Sequence, residues 1–300
     1  MGRCMQAEAA VTAACTLSSK AVMLAARHQI PILFFNRMGE AEARLWSPYF
    51  SSLAELRRQQ ALFVGSVDAT AWLVRLFMEK TEGKAALLHW LKNRRPGLAD
   101  DLGVAMGDMH TLAAGYGELT GQPPALCSNS LMGIEGSIAR CYWQAVAPCL
   151  PPGLHAGTRS RRPALDPFNA TLNYLYGMLY PVVEGALFAA GLDPYLGVLH
   201  AGQYDKPTLA FDLIEPFRPW VDRLLIEACL QDEIAPLAFF DNKDGGVFLN
   251  KAGKRFIIPL FNDFMETTTQ YDGRRLSNKN HIYRYAQQFA NELRKRPLYS

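Results

Sequence analysis

The stretch Ala69-Thr70-Ala71-Trp72-Leu73-Val74-Arg75-Leu76-Phe77-Met78 sets the apolar pair Trp72/Leu73 four residues before the pair Leu76/Phe77. That spacing is the period of an α-helix with one buried face, and it does not fit the alternation of a half-buried strand. The rhythm continues on both sides. It predicts helices over residues 52–64 and 85–91, and further helices over about 98–115, 129–147, 168–190, 212–230 and 282–294. No internal repeat interrupts the pattern, so the expected fold class is mainly α.

The first fifty residues read differently. Residues 11–17 predict a strand, residues 19–28 a short helix with Ala21, Leu24 and Ala25 on one face, and Ile30-Pro31-Ile32-Leu33-Phe34-Phe35 a buried strand. The expectation is a large all-helical domain over 51–300, preceded by a small α/β domain over 1–50. That front domain reads as a truncated, β-sandwich-like unit, because almost no strand material precedes residue 11 and two strands alone are marginal. Two loops punctuate the helical part. Residues 148–167 are rich in Pro, Gly and Arg, with Arg159, Arg161 and Arg162 together, and residues 241–253 carry Asp244-Gly245-Gly246 between apolar runs, the pattern of a hairpin turn.

The composition is that of a globular protein, and no stretch reaches the 18 or so uninterrupted apolar residues of a membrane span. No signal peptide is evident at the start, so the expected home is the cytoplasm, away from membranes. The cysteines Cys4, Cys15, Cys127, Cys141, Cys149 and Cys229 form no C-x-x-C pair and read as reduced residues. The net charge of +3 is small but unevenly spread: from residue 251 onward ten Lys and Arg face four Asp and Glu. A basic segment of this kind suits a phosphate backbone, and it suits a solvated terminus equally well.

Several residues have the chemistry of a site. Glu135 is a lone carboxylate among apolar and glycine neighbours, a costly placement unless it meets a cation, either a metal or a base such as Arg140. His200 ends the run Tyr195-Leu196-Gly197-Val198-Leu199 and enters a loop. Asp212 and Glu215, three apart in Phe211-Asp212-Leu213-Ile214-Glu215-Pro216-Phe217-Arg218, share a helical face and could aim two oxygens at one hard cation, or form a capping box. Asn169, Asn173 and Tyr176 stack at helical steps, able to hold phosphate oxygens without neutralising them or to hydrogen-bond within a core.

Taken together these segments resemble one family, the CRISPR-associated endonuclease and integrase of spacer acquisition. The carriers are Ile30 to Arg37 with Gly39, Arg58-Gln59-Gln60, Ile134-Glu135-Gly136, Asn169 with Leu172-Asn173-Tyr174-Leu175-Tyr176, Leu199-His200, and the run from Lys206 through Pro207, Thr208, Asp212 and Glu215 to Arg218. The resemblance implies a divalent Mn²⁺ or Mg²⁺ ion held by Glu135, His200 and Asp212, with Glu215 as a further acidic position. It implies nicking or transesterification, in which a DNA 3′-hydroxyl attacks a phosphodiester at the end of a CRISPR repeat. It also implies homodimers formed through the N-terminal domain, a small ferredoxin-like CRISPR-associated adaptation partner, and double-stranded prespacer and repeat DNA. Arg159, Arg161, Arg162, Asn169, Asn173, Tyr176, Lys206, Arg218, Lys254 and Arg255 are the candidate DNA contacts. Two other readings stay open: a catalytically silent DNA-binding scaffold that keeps the fold, and a metal hydrolase of a small molecule.

Overall fold

A computed structural model describes residues 1–300 apart from 1–8, 12–15, 29, 31, 36–40, 46–51, 156, 200–205, 232, 235 and 297–300. His200 therefore lies outside the described residues.

At the front, β1 (Ala9–Val11), α1 (Ser19–Arg27), β2 (Ile32–Phe35) and β3 (Ala41–Arg44) form a helix and a three-stranded sheet of order β1-β2-β3. β1 runs parallel to β2, as a strand–helix–strand connection demands, and β3 pairs antiparallel to β2. Of the strand expected over 11–17, Val11 lies in β1, residues 12–15 fall outside the described residues, and Thr16 and Leu17 lie in no strand.

The rest is mainly helical, as the periodicity predicts, around one continuous apolar core. Its helices are α2 (Ser52–Val64), α3 (Val67–Lys92), α4 (Ala99–Ala114), α5 (Pro124–Val146), α6 (Pro167–Ala190), α7 (Thr208–Leu213), α8 (Arg218–Leu230), α9 (Pro236–Phe239), α10 (Lys251–Glu266) and α11 (Asn278–Arg294). No single helix among the described residues is long and apolar enough to cross a membrane.

Helix α3 is the axis of the molecule. It joins two segments that the apolar pattern separates, because the polar run Glu79-Lys80-Thr81-Glu82-Gly83-Lys84 continues the helix instead of breaking it. Lys80, Thr81 and Lys84 are buried in the same stripe as Leu73, Leu76, Phe77, Leu87, Leu88 and Leu91. Helices α4, α5 and α8 pack around α3, while α6 packs on α8, α10 and α11.

Local chemistry explains most of the boundaries. Helix α5 starts at Pro124, whose missing N–H would have no intrahelical partner in the first turn anyway. Asp166 caps α6 by accepting the Asn169 N–H at 2.6 Å, and Gly191 ends that helix with φ of 85°, a left-handed conformation that suits glycine. The helix expected over 212–230 is instead divided. α7 ends at Leu213, a 3-10 turn covers Glu215–Phe217, and α8 begins at Arg218. Pro216 and Pro219 remove two backbone donors here, so the hydrogen-bond ladder of α7 cannot run on through this segment, and Pro219 stands in the first turn of α8, where no intrahelical bond is lost.

Two hairpins interrupt the helices: β4 (Phe240–Lys243) with β5 (Gly246–Leu249), and β6 (Thr268–Tyr271) with β7 (Arg274–Ser277). Each turns on an Asp-Gly pair with both residues at positive φ, Asp244-Gly245 and Asp272-Gly273. This is the turn whose twist matches that of the flanking strands.

Candidate functional site

Four helices and the 3-10 turn converge polar side chains on one point of the core. Lys80 on α3 donates to Glu135 on α5, and to Glu215 at 2.5 Å. The second Glu215 oxygen accepts from Arg218 Nε at 2.9 Å, and Arg218 Nη2 donates to the Tyr180 hydroxyl on α6 at 2.9 Å. The Arg218 guanidinium also lies over the Tyr176 ring, 4.5 Å from its centroid. The partner of Glu135 is thus Lys80, 55 residues earlier in the chain, while Arg140 is exposed.

The electrostatics follow from this pairing. Burial pushes the Glu215 carboxyl upward, but the Arg218 and Lys80 cations outweigh it and hold the group at about 2. Glu135 behaves likewise: burial raises it, and Lys80 with Lys84 bring it below the ordinary carboxylate value. Burial works against the Lys80 ammonium, yet Glu215 and Glu135 keep it above the ordinary lysine value. Two ionised carboxylates therefore share Lys80, and Glu215 has Arg218 as well, in a largely buried setting, an arrangement in which an unpaired partner is strongly destabilising.

Asp212 faces elsewhere. It is 1% exposed, and its Oδ2 accepts the backbone N–H groups of Val198 at 2.6 Å and Leu199 at 3.1 Å. The segment before it is stitched to the start of α7, with Gly197 N–H donating to Thr208 Oγ1 at 3.0 Å and Leu209 N–H to the Pro194 carbonyl at 2.8 Å. A Cβ on Gly197 would come within 2.5 Å of the Thr208 backbone, so only glycine permits this approach. Asp212 thereby fixes the two residues that lead into His200. No three His, Cys, Asp or Glu side chains among the described residues form a group able to hold a metal, so Asp212 does not join Glu135 and Glu215 there.

The predicted DNA-contacting residues divide into three sets, one of which is Arg218, part of the carboxylate centre. Arg159 is drawn into the structure. Its Nη1 donates to Asn169 Oδ1 at 2.8 Å and to the Ser160 carbonyl, its Nη2 donates to Asn173 Oδ1 at 2.5 Å, and its guanidinium lies 5.8 Å from the Tyr176 ring centroid. Asn169 and Asn173 in turn donate to the carbonyls of Thr158 and Arg161. The asparagine row thus holds the basic loop by its own backbone and by Arg159. Arg161, Arg162, Lys206, Lys254 and Arg255 are exposed.

Sequence reasoning does not single out Lys80, Lys84, Tyr142, Tyr180 or Asp222. The available signal was positional: Lys80 and Lys84 occupy helical steps within an otherwise apolar stripe, as Asp222 does in α8. The second hairpin had its signal too, in Asp272-Gly273.

Comparison with known proteins follows this geometry. The family described as CRISPR associated protein Cas1 matches residues 7–263. CRISPR-associated endonuclease Cas1 1 of Pyrobaculum aerophilum is 32% identical over 243 residues, covering 79% of this chain and 72% of the relative. The protein of the same name from Archaeoglobus fulgidus is 29% identical over 93% of this chain and 83% of its own length, and that from Thermus thermophilus is 42% identical over 44% of this chain and 42% of its own. Among solved structures, a casposase bound to integration product superposes with a TM-score of 0.78 at 20% identity, covering 96% of this chain and 82% of its own. A partial Cas6-RT-Cas1–Cas2 complex gives 0.77 at 24% identity, over 96% and 84%. At those identities the structural likeness establishes the fold, and the sequence match establishes the kinship. The chain belongs to the family of CRISPR associated protein Cas1.

Proposed function

We propose that this chain is a divalent-metal-dependent DNA endonuclease and integrase, inserting spacers into a CRISPR array by attack of a DNA 3′-hydroxyl on repeat-end phosphodiesters. The observation that carries the reading is the convergence of Glu135 and Glu215 on one cation, Lys80, in a largely buried setting. The Lys80 ammonium stands where carboxylate oxygens from two separate elements meet, the kind of seat that hard-cation oxygen donors make. The names of the relatives, which are endonucleases, and of the casposase neighbour support the reaction class.

Glu135 and Glu215 would hold a Mn²⁺ or Mg²⁺ ion, with the imidazole of His200 as the third donor; oxygen-rich sets with one imidazole suit these ions. When bound, the ion supplies Lewis-acid neutralisation of the charge that develops on a phosphodiester during in-line displacement. Asp212 then serves as the anchor of the backbone leading into His200, in place of the ligand role that the resemblance implies. Arg218 orients Glu215 through its Nε and adds positive charge on the side of Tyr176 and Tyr180. Lys80 and Arg218 together balance the two carboxylates in the absence of the ion. The exposed Arg161, Arg162, Lys206, Lys254 and Arg255 contact phosphates of double-stranded prespacer and repeat DNA without reading sequence. The N-terminal unit over 1–50 mediates homodimerisation, the helical unit over 51–300 carries the chemistry, and a small ferredoxin-like adaptation protein is the partner. The Cas1–Cas2 assembly among the structural neighbours supports this last assignment.

A catalytically silent DNA-binding scaffold is the second reading, favoured by Lys80 and Arg218, which together already neutralise both carboxylates. The deciding experiment incubates the protein, alone and with its small partner, with labelled prespacer and a repeat-bearing supercoiled plasmid in Mn²⁺, Mg²⁺ or EDTA. Joining or nicking that EDTA abolishes, and that falls about a thousandfold in Glu135→Gln, Glu215→Gln and His200→Ala, supports the enzyme. Asp212→Asn, which keeps an acceptor for the 198–199 backbone, is expected to lose far less. DNA binding without strand chemistry under any metal leaves the scaffold.

A further inference from the structure

Beneath the Glu135–Lys80–Glu215–Arg218 centre lies a second polar layer that this function does not use. Lys84 follows Lys80 by four residues on α3, Tyr142 follows Glu135 by seven on α5, Tyr176 precedes Tyr180 by four on α6, and Asp222 follows Arg218 by four on α8. At helical spacing each sits one or two turns from its counterpart on the same helix. Asp222 is fully buried and has no ion pair among the described residues. Its Oδ1 accepts the Tyr176 hydroxyl at 2.5 Å, and the Tyr142 hydroxyl faces the same carboxylate. Lys84, also buried, has no carboxylate partner within ion-pair distance and rests 5.0 Å from the Tyr142 ring centroid.

An unpaired carboxyl in a helical core costs stability that an apolar residue of the same size would not. What this one does geometrically is fix the Tyr176 ring. That ring carries the Arg218 guanidinium on its face, and the other groups that hold Arg218 among the described residues are Glu215 at Nε, the Tyr180 hydroxyl at Nη2 and the Tyr180 ring, whose centroid is 5.6 Å from the guanidinium. A guanidinium is held in direction by its fork and by the plane it stacks on. The same ring is within 5.8 Å of the Arg159 guanidinium, so Tyr176 also sets the separation between the basic loop and the carboxylate centre.

We propose that Asp222 is a positioning residue for this centre: through the Tyr176 hydroxyl it locks the ring on which Arg218 lies, and so fixes the direction from which the guanidinium reaches Glu215. The consequence for DNA chemistry rests on the function proposed above, whereas the positioning itself does not.

The test compares wild type with Tyr176→Phe, which keeps the ring and deletes the hydroxyl, with Asp222→Leu, which deletes the acceptor, and with Asp222→Asn, which keeps one. The primary readout is the Arg218 Nε–H signal in nitrogen-resolved NMR of the metal-free protein, assigned by its loss in Arg218→Lys. Tyr176→Phe and Asp222→Leu are expected to move this resonance and to speed its exchange with water about tenfold, and Asp222→Asn is expected to restore most of the protection. In metal-dependent joining, the first two variants lower kcat about tenfold, equal to about 1.4 kcal/mol, with half-saturating DNA unchanged. The double variant Tyr176→Phe/Asp222→Leu is no worse than either single one. Unchanged Arg218 exchange in both variants, failure of Asp222→Asn to restore it, or additive losses in the double variant overturns the proposal. A wild type without metal-dependent DNA chemistry defeats the functional reading, while the NMR readout still decides the positioning.

Discussion

Two regions of the molecule hold cations in opposite ways. Between α3, α5 and α8, Lys80 and Arg218 are held by the carboxylates of Glu135 and Glu215. In the loop before α6, Arg159 is held by three neutral oxygens, from Asn169, Asn173 and the Ser160 carbonyl. Carboxylates neutralise the charge they orient, and they present oxygen donors that a divalent ion can take over. Amide oxygens orient a guanidinium and leave its charge uncompensated, available to an anion from outside. Burial lowers the Arg159 pKa, whereas Arg218 is held well above the ordinary arginine value against burial by Glu215. On the proposed function the first region would take a cation and the second phosphate, and the Tyr176 ring lies between Arg218 and Arg159.

The comparison breaks most sharply at Lys80. Lys80→Met removes the shared cation from two buried carboxylates and is expected to destabilise the metal-free protein by about 3–5 kcal/mol. Mn²⁺ should recover much of that loss, so the rise in Tm on adding Mn²⁺ over EDTA is larger in Lys80→Met than in wild type. An equal rise in both would separate the carboxylates from the metal.

Arg159 offers the contrasting substitution. Arg159→Lys keeps the charge but loses the fork that Asn169 and Asn173 grip, and it is expected to weaken DNA binding several-fold at low salt while leaving the Mn²⁺-induced rise in Tm untouched. Titrations at a series of salt concentrations measure this. Arg161→Gln should instead lower the slope of log affinity against log salt by about one phosphate contact.

Acid provides the smallest and most graded effect. The Glu215 carboxyl ionises at about 2 in the folded chain, below its ordinary value of 4.5, so the stability it contributes is complete above about pH 4.5 and is lost as pH falls towards 2. Thermal melts across that window should therefore show a shallower fall of Tm with pH in Glu215→Gln than in wild type. Lys84 has the opposite sign. Burial and Lys80 lower it to about 8, so Lys84→Met should raise Tm at pH 7 and the gain should shrink as pH rises from about 8 towards 10.5.

Much of this molecule is legible locally. The helical period of Trp72/Leu73 and Leu76/Phe77 and the turn at Asp244-Gly245 each report an interaction made within a few residues, and the structure follows them. The departures also have local causes: Pro216 and Pro219 divide the helix expected over 212–230, and the polar run 79–84 conceals the continuity of α3.

The candidate site was legible in its carboxylates but not in its cations. The pattern around Glu135 announces a buried charge that needs a partner, and Glu215 lies in the segment with the most distinctive spacing. What the linear chain cannot rank is which base meets which acid, since Lys80 and Glu135 are 55 residues apart and Lys80 and Glu215 are 135 apart. Asp212 and Glu215, equivalent as a D-x-x-E pair, are separated only by the break between α7 and the 3-10 turn, which points one at the 198–199 backbone and the other at Lys80. The sequence by itself determined the helical class, through its periodicity, and the family, through the motifs that carry the resemblance and the sequence match, and it named candidate residues for the site. The tertiary structure decided the pairing, because desolvation makes each buried charge depend on the neighbours that packing brings to it.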